Sequence, residues 1–270
     1  MQKIRLRVLL TAVIAVLALA SFTACQGASQ NQETSQQTEI TPDATPAVEE
    51  TPVVEEGVTL DEGSLGELEY LITLPKDYDS NADRSWPVLV YLHHSGAGSM
   101  SYAKYYKLYQ LVEDQGYSFI TISPLTKVSW LSNEDDVISI VRNALNKYKA
   151  DPTKVYITGG SIGGNATWTF AAKHPDLFAA AAPFSSGAST DLAANLIDMP
   201  ILAFHNKNDS ITPVKKTQEM VDAVKNAGGK DIKFTIYEGK DDIKHDSWTK
   251  TFKNPDFYKW LLEHTSKNTQ

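Results

Sequence analysis

Five residues, Gly159-Gly160-Ser161-Ile162-Gly163, set one serine hydroxyl among glycines, directly after an apolar, β-rich run (155–158) and directly before helix-forming sequence. This is the pattern of a strand–turn–helix with the hydroxyl at its apex. The glycines let the strand and helix backbones pass where a Cβ would collide, and the serine is held outward beside the first N–H groups of the helix. A hydroxyl so placed could be the nucleophile of an acyl transfer. Over five residues, a small-residue βα turn or part of a dinucleotide loop reads the same, so the other members of such a site must be found independently.

Acyl transfer also needs a base, a carboxylate to orient it and donors for the oxyanion, and behind this kind of turn they follow in the order Ser, Asp or Glu, His. Asp209 comes shortly after the apolar run 200–205, and His245 after the run 232–237. Both positions fall at strand ends, on the sheet edge where open α/β folds build their sites. The expected roles are Ser161 as nucleophile, His245 as general base and then acid, and Asp209 as the carboxylate that fixes the imidazole tautomer, with Asp241 as the alternative acid. The other histidines read as structural: His93 ends a buried strand, His174 closes a helix before Pro175, His205 packs at a strand end and His264 lies near the C-terminus. The oxyanion donors expected are the backbone N–H of Ile162 and one from the loop 93–98, with Ser95 first in line. Trp130, Trp248 and His94 are expected to shape a substrate pocket, core packing being the competing reading for the tryptophans.

The elements that would position these residues alternate. Strands are expected at 68–75 (an edge strand), 87–93, 118–123, 154–158, 178–184, 200–205 and 232–237. Helices are expected at 101–115, 134–149, after Ser161 to Lys173, after Pro213, and at 255–264. The run 87–93 is continuously apolar, as suits a strand buried on both faces. Such alternation calls for one α/β domain, over residues 61–268, with a mostly parallel central sheet flanked by helices. Only 185–199 could form a cap, and it is short.

The chain before this domain has a different composition. Lys3, Arg5 and Arg7 precede an apolar run from Val8 to Ala20, and Ser21-Phe22-Thr23-Ala24 leads to Cys25, the one cysteine among 270 residues. Residues 1–24 are expected to be an export signal of the lipoprotein type, with Cys25 lipidated and the protein held at the cell surface. Residues 25–60, rich in Gln, Ser, Thr, Glu and Pro, are expected to be a disordered tether. The formal net charge of −8 becomes more negative once the leader's cations are removed, which argues against nucleic acid and against electrostatic binding to anionic lipid. Contact with a membrane is expected only through the lipid. No H-E-x-x-H is present and no G-K-[ST] follows the glycines, so neither a metal nor a nucleotide cofactor is expected.

The segments Tyr91-Leu92-His93-His94-Ser95-Gly96, Gly160-Ser161-Ile162-Gly163-Gly164-Asn165-Ala166-Thr167-Trp168, 178–183, His205-Asn206-Lys207-Asn208-Asp209 and His245-Asp246-Ser247-Trp248 occur in an order that resembles α/β-hydrolase esterases of the feruloyl esterase and polyhydroxybutyrate depolymerase group, including proteins labelled prolyl oligopeptidase-like. The resemblance runs from about residue 67 to 262. It implies an α/β-hydrolase fold with little or no cap and a serine carboxylic-ester hydrolase working through an acyl-enzyme, on a small-molecule or polysaccharide-linked ester such as a feruloyl or acetyl group. A serine peptidase of the same fold, or a non-catalytic surface binding protein that keeps it, are the alternatives. Two positions depart from the group, His94 and Asn206, where glycine is usual.

Overall fold

The computed structural model describes residues 53–55, 58–80, 83–239 and 244–266. The export signal, Cys25 and most of the tether lie outside the described residues, as does Asp241. One nine-stranded sheet runs in the order β1-β2-β3-β5-β4-β6-β7-β8-β9. β4 (Trp86–Leu92), β5 (Ile120–Leu125), β6 (Ala150–Gly160), β7 (Ala180–Phe184), β8 (Ile201–Asn206) and β9 (Ile232–Tyr237) pair in parallel. β1 (Val53–Glu55), β2 (Val58–Leu65) and β3 (Leu68–Leu74) add an antiparallel meander at one side.

Two expectations are corrected here. The sheet begins at Val53, so the tether does not reach residue 60, and the domain boundary at 61 falls inside β2. β3 is not an edge strand: β2 pairs along its whole length on one side and β5 on the other.

Strand alternation sorts the core onto two faces. Val88, Val90 and Leu92 of β4 face α3 (Glu134–Lys147), α4 (Ile162–Lys173) and α5 (Lys215–Ala227), whereas Leu89 and Tyr91 face α2 (Leu108–Glu113), α6 (Trp248–Phe252) and α7 (Pro255–Leu262). All seven residues of β4 are buried. At about 1.5–3 kcal/mol for each fully buried Val or Leu side chain, this strand anchors the sheet beneath the oxyanion loop that follows it. The helix expected at 101–115 is broken: α1 (Met100–Tyr106) stops at Lys107, whose left-handed backbone (φ 46) redirects the chain into α2. The segment 185–199 forms a 3₁₀ turn, Thr190–Leu196, whose Ala193 and Leu196 are buried in the core under the α4 and α5 face. It therefore packs on the flank of the sheet.

Candidate active site

β6 runs straight into α4 through Ser161, which has φ 56 and ψ −118, a conformation that L-residues other than glycine rarely adopt. The Ser161 N–H is anchored on the Phe184 carbonyl at 3.0 Å. Glycine is required behind it because a Cβ on Gly163 would stand 2.0 Å from the Leu92 carbonyl oxygen, so α4 could not lie so close to the end of β4. On the other side Gly160 leaves room for Trp248, whose ring would come within 2.6 Å of a Cβ there. The strained turn is thus held by close packing on both flanks.

Asp209 and His245 come together from the loops after β8 and β9. His245 Nδ1 lies 2.7 Å from Asp209 Oδ2, and the carboxylate can only accept, so Nδ1 carries the proton and Nε2 keeps its lone pair. Nε2 is buried and makes no hydrogen bond, which leaves it free to take a proton. The bond from the Ser161 hydroxyl to Nε2 is not made in this structure, as is common before substrate binds. Trp248 links the two: it sits against Gly160, next to Ser161, and meets the His245 ring edge-on at 5.7 Å.

The Asp209 side chain is fully buried, and its other oxygen accepts the N–H groups of Ile211 (2.8 Å) and Thr212 (2.9 Å). Burial pushes this carboxyl up, but the hydrogen bonds from His245, Thr212 and Ile211 outweigh it and hold it below the ordinary carboxylate value. His205, read from the sequence as packing, is part of this arrangement. Its Nε2 lies 3.2 Å from Asp209 Oδ2 and 2.9 Å from the Thr212 carbonyl, with Nδ1 2.7 Å from the Thr217 hydroxyl. Burial keeps its imidazole below the ordinary histidine value, so it supports Asp209 mainly as a neutral donor.

The oxyanion loop is preset by His93. Trp130 Nε1–H donates to the His93 carbonyl (3.0 Å), the Thr126 N–H donates to His93 Nε2 (3.1 Å), and His93 Nδ1–H donates to the His94 carbonyl (2.7 Å), which also accepts from the Ala97 N–H (3.3 Å). Across a trans peptide, fixing the His94 C=O fixes the opposite direction of the Ser95 N–H. Ile162 opens α4, where an N–H has no partner within the helix. Ser95 and Ile162 line one open recess of about 360 Å³, with His93, Ser99, Thr126 and Val128 around them. Both residues expected to supply the donors therefore line the same recess.

The aromatic residues divide differently from expectation. Trp130 is buried and packs against the His93 ring at 4.7 Å with the ring planes tilted by 58°, so it supports the oxyanion loop from within the core. Trp248, 5% exposed, lies face to face with His94 at 5.0 Å, and little of it is left for a substrate to touch. The His94 ring is turned onto Trp248 and Tyr102: Nδ1–H donates to the Ser95 carbonyl (2.9 Å) and Nε2 accepts from the Tyr102 hydroxyl (3.0 Å). At this position, where glycine is usual in the group the sequence resembles, the His94 side chain fastens the oxyanion loop to α1. Among the described residues no group of three or more His, Cys, Asp or Glu side chains could hold a metal ion.

Two predictions arise from this loop. Gly98 passes so close to β5's exit that a Cβ would lie 1.8 Å from the Thr126 carbonyl oxygen and 3.0 Å from the His93 ring. Gly98→Ala should displace His93 and with it the Ser95 N–H, lowering kcat for an ester by about 10²–10³-fold, the usual loss for one oxyanion donor. Steady-state kinetics on folded variant checks this, and a loss below threefold would sever Gly98 from the oxyanion loop.

The second concerns acid. Burial drives the His93 imidazole down to about 4 from its ordinary 6.5, so between those values the unfolded chain binds a proton that the folded chain refuses. Stability thus rises with pH across that window: His93 costs nothing above pH 6.5 and about 3 kcal/mol by pH 4. Urea midpoints measured from pH 7 to 4 should fall less steeply in His93→Asn than in wild type. Parallel pH dependences would show that His93 is not held neutral.

With the geometry in view, comparisons place the chain among known proteins. Feruloyl esterase B of Talaromyces stipitatus is 28% identical over 133 residues, covering 44% of this chain and 36% of that protein. Feruloyl esterase B of Thermothelomyces thermophilus is 28% identical over 193 residues, covering 65% of this chain and 64% of that one, so the chain spans less than two thirds of either relative. A solved structure described as a thermostable esterase superposes with a TM-score of 0.68 at 27% identity, over 77% of this chain and 63% of that one. The profile of the dienelactone hydrolase family matches residues 105–242, just over half of the sequence and the stretch that carries both Ser161 and Asp209, and the chain belongs to that family.

Proposed function

We propose that the chain is a serine carboxylic-ester hydrolase that works through an acyl-enzyme. The observation that carries this reading is the pairing of a strained, outward serine with a histidine whose proton is fixed on the far nitrogen by a buried carboxylate. Ser161 Oγ attacks the ester carbonyl carbon as its proton passes to His245 Nε2. The negative charge on the carbonyl oxygen is met by the Ile162 and Ser95 N–H groups. His245, now cationic beside Asp209, gives the proton to the departing alkoxide, and water repeats the sequence on the acyl-enzyme to release the acid.

The esterase names of the relatives support an ester substrate, and feruloyl or acetyl groups on polysaccharide are the class we favour. The open recess beside the donors is consistent with a bulky or polymer-attached ester. Retention at the cell surface through a lipidated Cys25 belongs to the same proposal and rests on the leader's residue pattern. Turnover of p-nitrophenyl acetate and methyl ferulate by wild type and Ser161→Ala tests the reading. A folded wild-type protein inactive on a wide ester panel would favour a binding protein.

A further inference from the structure

Asn206, one of the two departures noted in the sequence, ends β8 with its side chain 1% exposed. Its Nδ2 donates to the Lys244 carbonyl at 2.6 Å and to the Asp246 carbonyl at 3.2 Å, the carbonyls of the residues on either side of His245. Both partners can only accept, so the amide must present its NH₂ to them. Its own backbone carbonyl accepts the Asp209 N–H at 3.2 Å. One residue therefore holds the carboxylate's loop through its backbone and the base's loop through its side chain. Glycine at this position could do only the first.

We infer that Asn206 is a positioning residue for His245, keeping its Nδ1 on Asp209 and its Nε2 aimed at the reacting centre. The inference rests on the esterase reading for its kinetic test alone. A purely stabilising role explains the residue poorly. Asn206 Oδ1 is buried without a hydrogen-bond partner, a cost that alanine would remove, and both residues whose carbonyls it holds, Lys244 and Asp246, are exposed. The loss on substitution should thus appear in catalysis more than in folding.

The experiment compares wild type, Asn206→Ala and Asn206→Asp, the last keeping the volume while turning an acceptor toward the two carbonyls. On p-nitrophenyl acetate at pH 8, kcat should fall about 10–100-fold in both variants, since sub-ångström to 1 Å misplacement of a catalytic group costs up to this much, with KM within about twofold of wild type. Independently of turnover, ¹⁵N shifts of the His245 imidazole should report a single Nδ1–H tautomer in wild type and a tautomer mixture in Asn206→Ala. Loss of kcat together with loss of the fixed tautomer supports the inference. A kcat within threefold of wild type, a loss carried by KM, or an unchanged tautomer in the folded variants overturns it. Should wild type hydrolyse no ester, the tautomer measurement still decides on Asn206, and only the esterase reading fails.

Discussion

Ser161→Ala should abolish ester hydrolysis, with kcat falling on the order of 10⁶-fold, the loss seen when the nucleophile of a serine triad is removed. The substitution deletes one oxygen. It leaves the Ser161 N–H on the Phe184 carbonyl, and it leaves Gly160 and Gly163 to carry the close packing on either side of the turn. Alanine at φ 56 is strained about as much as serine, so the unfolding midpoint should stay close to that of wild type. A large kinetic loss with a small stability change is the signature of a group that reacts. Methyl ferulate and p-nitrophenyl acetate, assayed beside circular dichroism, check both halves. A folded variant retaining more than a hundredth of wild-type kcat would remove Ser161 from the chemistry and leave the Asp209–His245 pair in need of another nucleophile.

What the sequence disclosed follows from which interactions are local. The turn at Ser161 and the buried strands β4, β6 and β8 announce themselves through glycines and unbroken apolar runs, and Asp209 and His245 follow from their places after β8 and β9. β2 was hidden because Val58-Thr59-Leu60-Asp61-Glu62-Gly63-Ser64-Leu65 has a turn-like composition in its second half, and it is a strand because β3 offers it a full-length partner. The break at Lys107 has no proline or glycine to mark it. Tryptophans could be assigned to the neighbourhood of the site but not to a role: Trp130 supports His93 through a hydrogen bond 37 residues away in sequence, and Trp248 is drawn inward by the missing Cβ of Gly160. The same holds for His205 and Asn206. Their partners come from loops that only the assembled sheet edge brings together, so the residue types were visible and the contacts were not.

Asp209→Asn should retain the fold of the site and lose about 10⁴-fold in kcat, the usual result of giving a triad histidine the wrong tautomer. The direction follows from what surrounds the carboxylate. One of its oxygens accepts the Ile211 and Thr212 N–H groups, so an asparagine must keep its carbonyl there and turn its NH₂ toward His245 and His205. An NH₂ facing His245 Nδ1 at 2.7 Å requires that nitrogen to accept, which moves the ring proton to Nε2. Nε2 is the atom that must take the Ser161 proton, and protonated it cannot. The variant should therefore bind ester with a KM near that of wild type while failing at the first proton transfer, and His245 ¹⁵N shifts should show the proton moved to Nε2. The NH₂ would also confront the Nε2–H of His205, so some loss of stability is expected as well, and it should be relieved when His205 is replaced by an acceptor of similar size, His205→Gln, while kcat stays low. A kcat within about 10²-fold of wild type in Asp209→Asn would mean that the tautomer is fixed by something other than this carboxylate, and Asp209 would then be a structural residue beneath a site that another acid serves.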